Sequence, residues 1–309
     1  MKFALVFVAL LSFQAVSAGL DVNSMARKYL NKYRYLAPSY ERGGNHDFTS
    51  AIKQMQRFAH IPQTGVVDAA TFRLMHTPRC GMPDKSQGKS NRARRYSTNI
   101  ANRHSQNNLK YYVQHGADLS ADLQDQIFAT AFQHWAKVSS LTFSQTSILN
   151  DANLLISFGS RNHKGTAREP ICTDPFDGEG GTLAHASLAG ADAHFDEDET
   201  FTHNSYDGVN LLWVAVHEFG HNLGLDHSDV QGAIMYPYYT GYDPKIALHS
   251  DDIKGVQSLY GPFGGTMPPA PPPPPPPCMD DLDDCSGDSC SVDQGTRKYC
   301  RKTCGICTR

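Results

Sequence analysis

Residues 215–227, AVHEFGHNLGLDH, gather three histidines and one glutamate in a run that is otherwise mostly small and apolar. Four residues is close to one helical turn. In a helix over 210–224, His217 and His221 therefore project from one face, close enough for both imidazoles to hold one ion. Glu218 is rotated by about 100° from His217, which sets it beside such an ion and not on it. Leu211, Leu212, Ala215, Phe219 and Leu223 supply apolar surface to bury the helix. Gly224 tolerates a left-handed backbone, so the helix can end there in a sharp turn that brings His227 back as a third ligand. Three neutral nitrogens with an open fourth position describe a catalytic zinc site. Such an ion lowers the pKa of water to about 7 and polarises a carbonyl. Glu218 is then placed to take a proton from water and pass it to a leaving amine.

The complete H-E-x-x-H-x-x-G-x-x-H pattern fixes five positions and is far more specific than H-E-x-x-H alone. Together with AIMYPYY at 233–239, it resembles the metzincins and, among them, the matrixins, the matrix metalloproteinase family. The resemblance covers residues 27–262. It implies an α+β fold, with a twisted mixed five-stranded sheet, three helices and a shallow cleft. It also implies endopeptidase activity on extracellular proteins. Met235 matches the family's Met-turn beneath the zinc, and Pro237 and Tyr238 match the wall of its specificity pocket. PRCGMPD at 78–84 matches the cysteine switch. There the Cys80 thiolate would fill the fourth zinc position, and Arg79 would orient the loop by pairing with a carboxylate.

Residues 174–199, DPFDGEGGTLAHASLAGADAHFDEDE, resemble the matrixin segment for structural metals. Carboxylates and carbonyls suit calcium, and glycines let carbonyls approach it. By resemblance, Asp177, Gly178, Gly180, Thr182, Asp196 and Glu199 surround a calcium, and a further one would use Asp192. His163, His185 and His194 match ligands of a second, structural zinc. The family's H-x-D would place an aspartate where this chain has Gly165, and TAREPIC follows as an insertion. The fourth ligand is then Asp174 or Cys172, since zinc accepts either a carboxylate or a thiolate; the alternative for Cys172 is a buried free thiol.

The elements that must position these groups can be read along the chain of 309 residues. Residues 1–18 have a lysine, a short apolar run and a small-residue end, which is expected to be a secretory signal peptide. Secretion to the extracellular space or matrix follows, and no segment is long and apolar enough to span a bilayer. Residues 19–95 contain YLNKYRYL, SAIKQMQRF and AATFRLM at helical spacing and read as an all-α propeptide. Arg92-Ala93-Arg94-Arg95 resembles a proprotein convertase site, and cleavage after Arg95 would free the ammonium of Tyr96. In matrixins that ammonium pairs with an acidic residue near the last helix, here Asp251 or Asp252. Residues 96–262, the catalytic domain, mix strand-like runs (LKYYVQ, ANLLISF) with ADLQDQIFATAFQHWAKV. In that last run Ile127, Ala131, Trp135 and Val138 share a helical face. The net charge of −3 argues against a general nucleic-acid binder.

Residues 263–277 form a Pro-rich spacer, and 278–309 carry six of the eight cysteines. This tail is too short to bury a core and needs covalent staples. It resembles the ShK toxin-like module, which implies the pairings Cys278–Cys307, Cys285–Cys300 and Cys290–Cys304. Lys298-Tyr299 abuts Cys300 and reads as ordinary surface, so the tail is expected to target the enzyme or bind substrate, with a matrix or ion-channel target. The whole reads as a monomeric, latent, secreted zinc endopeptidase. The rival is a binding protein in which an inert protease scaffold carries the tail. An inert scaffold typically loses Glu218 or a histidine, and all four are present.

Overall fold

The computed structural model describes residues 22–36, 45–85, 98, 103–163, 172–186, 192–266 and 268. The expected signal peptide, Arg95, Tyr96, Gly165 and the cysteine-rich tail with its three pairings lie outside the described residues. Helix α1 covers residues 22–32, α2 Asn45–Phe58 and α3 Ala69–Met75. Ala26, Leu30 and Tyr33 pack against Phe48, Ala51, Ile52 and Met55 in a small core of their own. Both sets recur at helical spacing, which is why these segments coil. Gln56, fully buried, closes the unit with polar contacts. Its amide lies 2.8 Å from Thr71 Oγ1 and 2.9 Å from Thr64 Oγ1, and its carbonyl accepts from Gly65 N.

The larger unit is built on strands β2 (Asn108–Val113), β3 (Thr142–Gln145), β4 (Leu154–Gly159), β5 (Thr182–Ala186) and β6 (Asp192–Asp196). β5 runs antiparallel to β6, and the pairs β6–β4, β4–β2 and β2–β3 are parallel. A sixth strand, β1 (Arg79–Cys80), pairs parallel with β5. The segment 96–262 thus supplies the five strands expected of it, and the N-terminal segment, read as all-α, adds this two-residue strand to its helices. The cause is an edge: without a neighbour, β5 would present a row of unpaired backbone groups. Residues 78–81 fill that gap and are held from both sides. Arg79 N donates to Gly181 O and Gly81 N to Ala184 O, while Cys80 N donates to Pro237 O and Tyr239 N to Pro78 O, all at 2.8–3.0 Å. A separate pair, β7 (Phe201–Thr202) and β8 (Val209–Asn210), precedes the metal-site helix.

Helices α4 (Ala121–Ala136) and α5 (Leu211–Asn222) pack on this sheet, and α6 (Ser250–Tyr260) adds Val256, Leu259 and Tyr260 to the same core. Phe132 of α4 stacks on Phe219 of α5 with centroids 3.9 Å apart. Trp135 Nε1 donates to Val216 O at 3.0 Å. Asn210 caps α5 by accepting from Trp213 N. The helix ends at Asn222, short of 224, because the left-handed turn at Gly224 (φ +95°) already leads the chain away. α6 fastens the floor beneath α5. Asp252 in its first turn accepts from Ile234 N, Met235 N and His249 N at 2.8–3.1 Å.

Gly220 lies inside α5, where a glycine is worth about 1 kcal/mol less than alanine. Its position is explained by close approach. A Cβ there would sit 2.3 Å from Met235 Sδ and 2.9 Å from Trp135 Cζ2. Gly220→Ala is therefore expected to lower the thermal midpoint despite alanine's better helix propensity, since overpacking costs about 1–3 kcal/mol. Calorimetry of the two proteins checks this, and an unchanged or raised midpoint would contradict the close-packing account.

Candidate metal centre

α5 places His217 and His221 one turn apart, and the turn at Gly224 carries His227 back over them. Ring centroids are 4.9 Å apart for His217–His221, 4.7 Å for His221–His227 and 5.3 Å for His217–His227. Each Nδ1 faces an oxygen that can only accept. His217 Nδ1 donates to Ile234 O at 2.6 Å, His221 Nδ1 to Leu225 O at 2.7 Å and His227 Nδ1 to Asp84 Oδ1 at 2.8 Å. These bonds hold the proton on Nδ1 and leave Nε2 as a lone pair. Burial pushes the His217 imidazole down to about 3 and that of His221 well below its usual range, so both are neutral near pH 7. Nε2 of His217 and of His227 are buried with no hydrogen-bond partner among the described residues.

Cys80 Sγ completes this cluster, 3.5 Å from His221 Nε2, and all four ligand atoms lie within 4.8 Å of one another. One sulfur and three nitrogens fit a tetrahedral zinc. Burial, reinforced by the nearby Glu218 carboxylate, pushes the Cys80 thiol well above its ordinary range. Glu218 is fully buried beside the cluster, and burial pushes its carboxyl up to about 8. Neither of its oxygens has a partner among the described residues.

The chain that delivers Cys80 is held by a buried ion pair. Arg79 Nη2 lies 2.5 Å from Asp84 Oδ1, with both side chains essentially inaccessible. Burial opposes ionisation of Asp84, but the Arg79 guanidinium outweighs it and holds the carboxyl below its usual range. The guanidinium sits 3.5 Å from the Tyr33 ring centre and 4.7 Å from that of Tyr238. Tyr29 OH accepts from Arg79 Nη1 at 2.9 Å. Pro237 and Tyr238, the expected pocket wall, are thus covered by the N-terminal segment.

A family model described as matrixin matches residues 103–261, and one described as a putative peptidoglycan binding domain matches residues 24–75. The chain is 41% identical over 243 residues to a hatching enzyme of Paracentrotus lividus, covering 78% of this chain and 39% of that protein. It is 40% identical over 267 residues to the interstitial collagenase of Bos taurus, covering 84% and 53% respectively. The corresponding figures for matrix metalloproteinase-25 of Mus musculus are 38%, 278 residues, 84% and 44%. The chain belongs to the matrixins. It spans roughly two-fifths to a half of the length of these relatives. Matrixins use catalytic and structural zinc and calcium. No helix among the described residues is long and apolar enough to cross a membrane. Both matched models end before residue 278, so the ShK-like resemblance of the tail lies outside them.

This matrixin has a second convergent cluster: His163, Cys172, His185 and His194, with ligand atoms within 4.8 Å of one another. Of the two expected fourth ligands, the fold brings in Cys172. Asp174 is exposed, and only its backbone carbonyl approaches Cys172 Sγ, at 3.6 Å. Phe176, stacked on His163 at 4.5 Å, anchors the chain just beyond, leaving Asp174 at the surface. Among the acidic residues, Asp177, Asp196 and Glu199 gather around the 178–182 turn. Gly178 N donates to Asp196, Gly180 N to Glu199 and Thr182 N to Asp177. Burial pushes the Glu199 carboxyl up to about 7 and raises that of Asp196. Gly178 and Gly180 take positive φ, which lets this turn close. Asp192 lies buried in β6, on the far side of the undescribed 187–191. Of Asp251 and Asp252, the second is committed to three backbone amides, whereas Asp251 accepts one hydroxyl from Ser228.

Reading residues alone left the carboxylate partner of Arg79 unnamed and missed its second bond to His227. The signal was present in the last letter of PRCGMPD, Asp84. Asp84→Ala strips a buried guanidinium of its counterion, a change worth about 3–5 kcal/mol. The expected outcome is alkylation of Cys80 faster by about two to four orders of magnitude, followed by peptide mapping in the intact chain. An unchanged rate would mean that the ion pair does not hold the loop.

Proposed function

We propose that this matrixin is a secreted zinc endopeptidase, made latent and hydrolysing peptide bonds of extracellular proteins. The observation that carries the reading is Cys80 Sγ lying within the three-imidazole cluster, where a fourth ligand belongs. His217, His221 and His227 would hold the ion through Nε2. The bound ion supplies an acidified water and a Lewis acid for the scissile carbonyl. Glu218 takes the proton of that water on a carboxylate oxygen and delivers it to the leaving amine. An extended substrate would occupy the edge of β5 now filled by β1, where backbone pairing gives affinity and the wall at Pro237 and Tyr238 selects side chains.

Activation then needs removal of residues 19–95. A convertase acting after Arg95 would leave Tyr96 as the new terminus, and Asp251 is the acidic residue better able to receive its ammonium. Asp177, Asp196 and Glu199, with carbonyls of the glycine-rich turn, would hold calcium and relieve the cost of burying their charges. The tail at 278–309 would act as a disulfide-stapled appendage for targeting.

Three outcomes test the reading. The intact Cys80→Ser chain is expected to cleave gelatin or a quenched peptide without processing, whereas intact wild type stays silent. Equal silence would contradict latency through Cys80. Glu218→Ala in the Cys80→Ser chain should lose about 10²–10⁴-fold of that rate; equal rates would refute the assigned proton carrier. Withdrawing calcium with a calcium-selective chelator should lower the thermal midpoint, and re-addition should restore it. A midpoint indifferent to calcium would remove the acidic turn from the account.

A further inference from the structure

We infer that Cys172 closes the second metal site with a thiolate, giving it three imidazole nitrogens and one sulfur. This rests on the proposed metal-binding reading and extends it. His163 Nδ1 lies 3.1 Å from Arg161 O, an acceptor, so the proton sits there and Nε2 faces inward as a lone pair. His163 Nε2 and His185 Nε2 each lie 3.1 Å from His194 Nδ1. Cys172 Sγ lies 3.2 Å from His185 Nε2. With zinc–nitrogen bonds of about 2.0–2.1 Å and a zinc–sulfur bond of about 2.3 Å, a tetrahedron has edges of roughly 3.3–3.6 Å. The observed separations are close to those edges, slightly contracted. The three histidines are at most 8% exposed, and the half-buried Cys172 closes the cluster on its outer side. Phe176 stacks against His163 and His185 from outside, with centroids at 4.5 and 4.6 Å. Among the described residues of that loop, Asp174 carries its carboxylate at the exposed surface.

The chemistry of the donor set narrows the ion. Nitrogen and sulfur ligands favour zinc over calcium or magnesium, which want oxygen. On binding, the thiol gives its proton to solvent as the sulfur–metal bond forms, so uptake at this site releases a proton that a carboxylate ligand would not. Four protein ligands leave no open corner, which makes the site structural and not catalytic.

The test uses the full chain as Cys80→Ser/Glu218→Ala, so that the other centre contributes no sulfur and no self-cleavage occurs. Metal content and X-ray absorption at the zinc edge are measured. The expected result is two zincs per chain, with a sulfur at about 2.3 Å that disappears in the further variant Cys172→Asp. That variant offers a carboxylate in the same place and should keep both zincs. Nitrogen and oxygen ligands alone in the starting chain would overturn the thiolate while leaving the metal site intact. So would a sulfur that survives Cys172→Asp. A single zinc per chain would instead overturn the second site itself, and the inference with it.

Discussion

A neutral imidazole has one proton to give, and in this fold each of those of His217, His221 and His227 is given to a fixed oxygen. Three acceptor nitrogens are left facing a common, buried space, and those of His217 and His227 have no partner among the described residues. Burying an unsatisfied polar atom costs about 1–3 kcal/mol, a cost that a shared positive ion would remove. The surrounding structure serves that arrangement. The i, i+4 spacing on α5 sets two of the rings, and the left-handed turn at Gly224 sets the third. Asp252 holds the 234–235 backbone whose carbonyl fixes His217. The absent side chain of Gly220 lets Met235 press up beneath the helix.

The N-terminal segment exploits the same constraint twice over. Its sulfur lies where the fourth ligand belongs, and its backbone occupies the edge of β5 that an extended chain would use. The two are joined by adjacent residues, since Arg79 and Cys80 are both β1. Asp84 ties them further, because one carboxylate serves both the guanidinium and His227. Loosening any one contact loosens the others, which is how a short segment can restrain a site built from distant residues. A buried pair of this kind adds little net stability, but losing one partner is costly. That asymmetry would suit the latch proposed above, opened by removing a whole piece of chain.

Much of this could be read from local pattern. The helices at 121–136 and 211–222, the strands at 108–113 and 154–159, and the histidine spacing all depend on periodicity within one element. What depended on pairing between distant segments could not be read. Nothing in RC at 79–80 says that it becomes a strand, because the edge that recruits it lies a hundred residues away. The choice between Asp174 and Cys172 was open for the same reason: both lie on one loop, and which of them comes near the histidines depends on how that loop packs. Gly220 carried a legible cue, a glycine in a helix interior, but not its cause. The acidic turn was recognisable by composition, whereas its hydrogen bonds to the backbone amides of 178–182 required the fold.

The central claim is that three imidazoles and Cys80 share one ion in the uncleaved chain. Anomalous diffraction at the zinc edge from crystals of that chain tests it most directly. The account predicts a strong peak within bonding distance of Nε2 of His217, His221 and His227 and of Cys80 Sγ together. A peak bound by fewer than three of those nitrogens, or a sulfur turned away from it, would contradict the account.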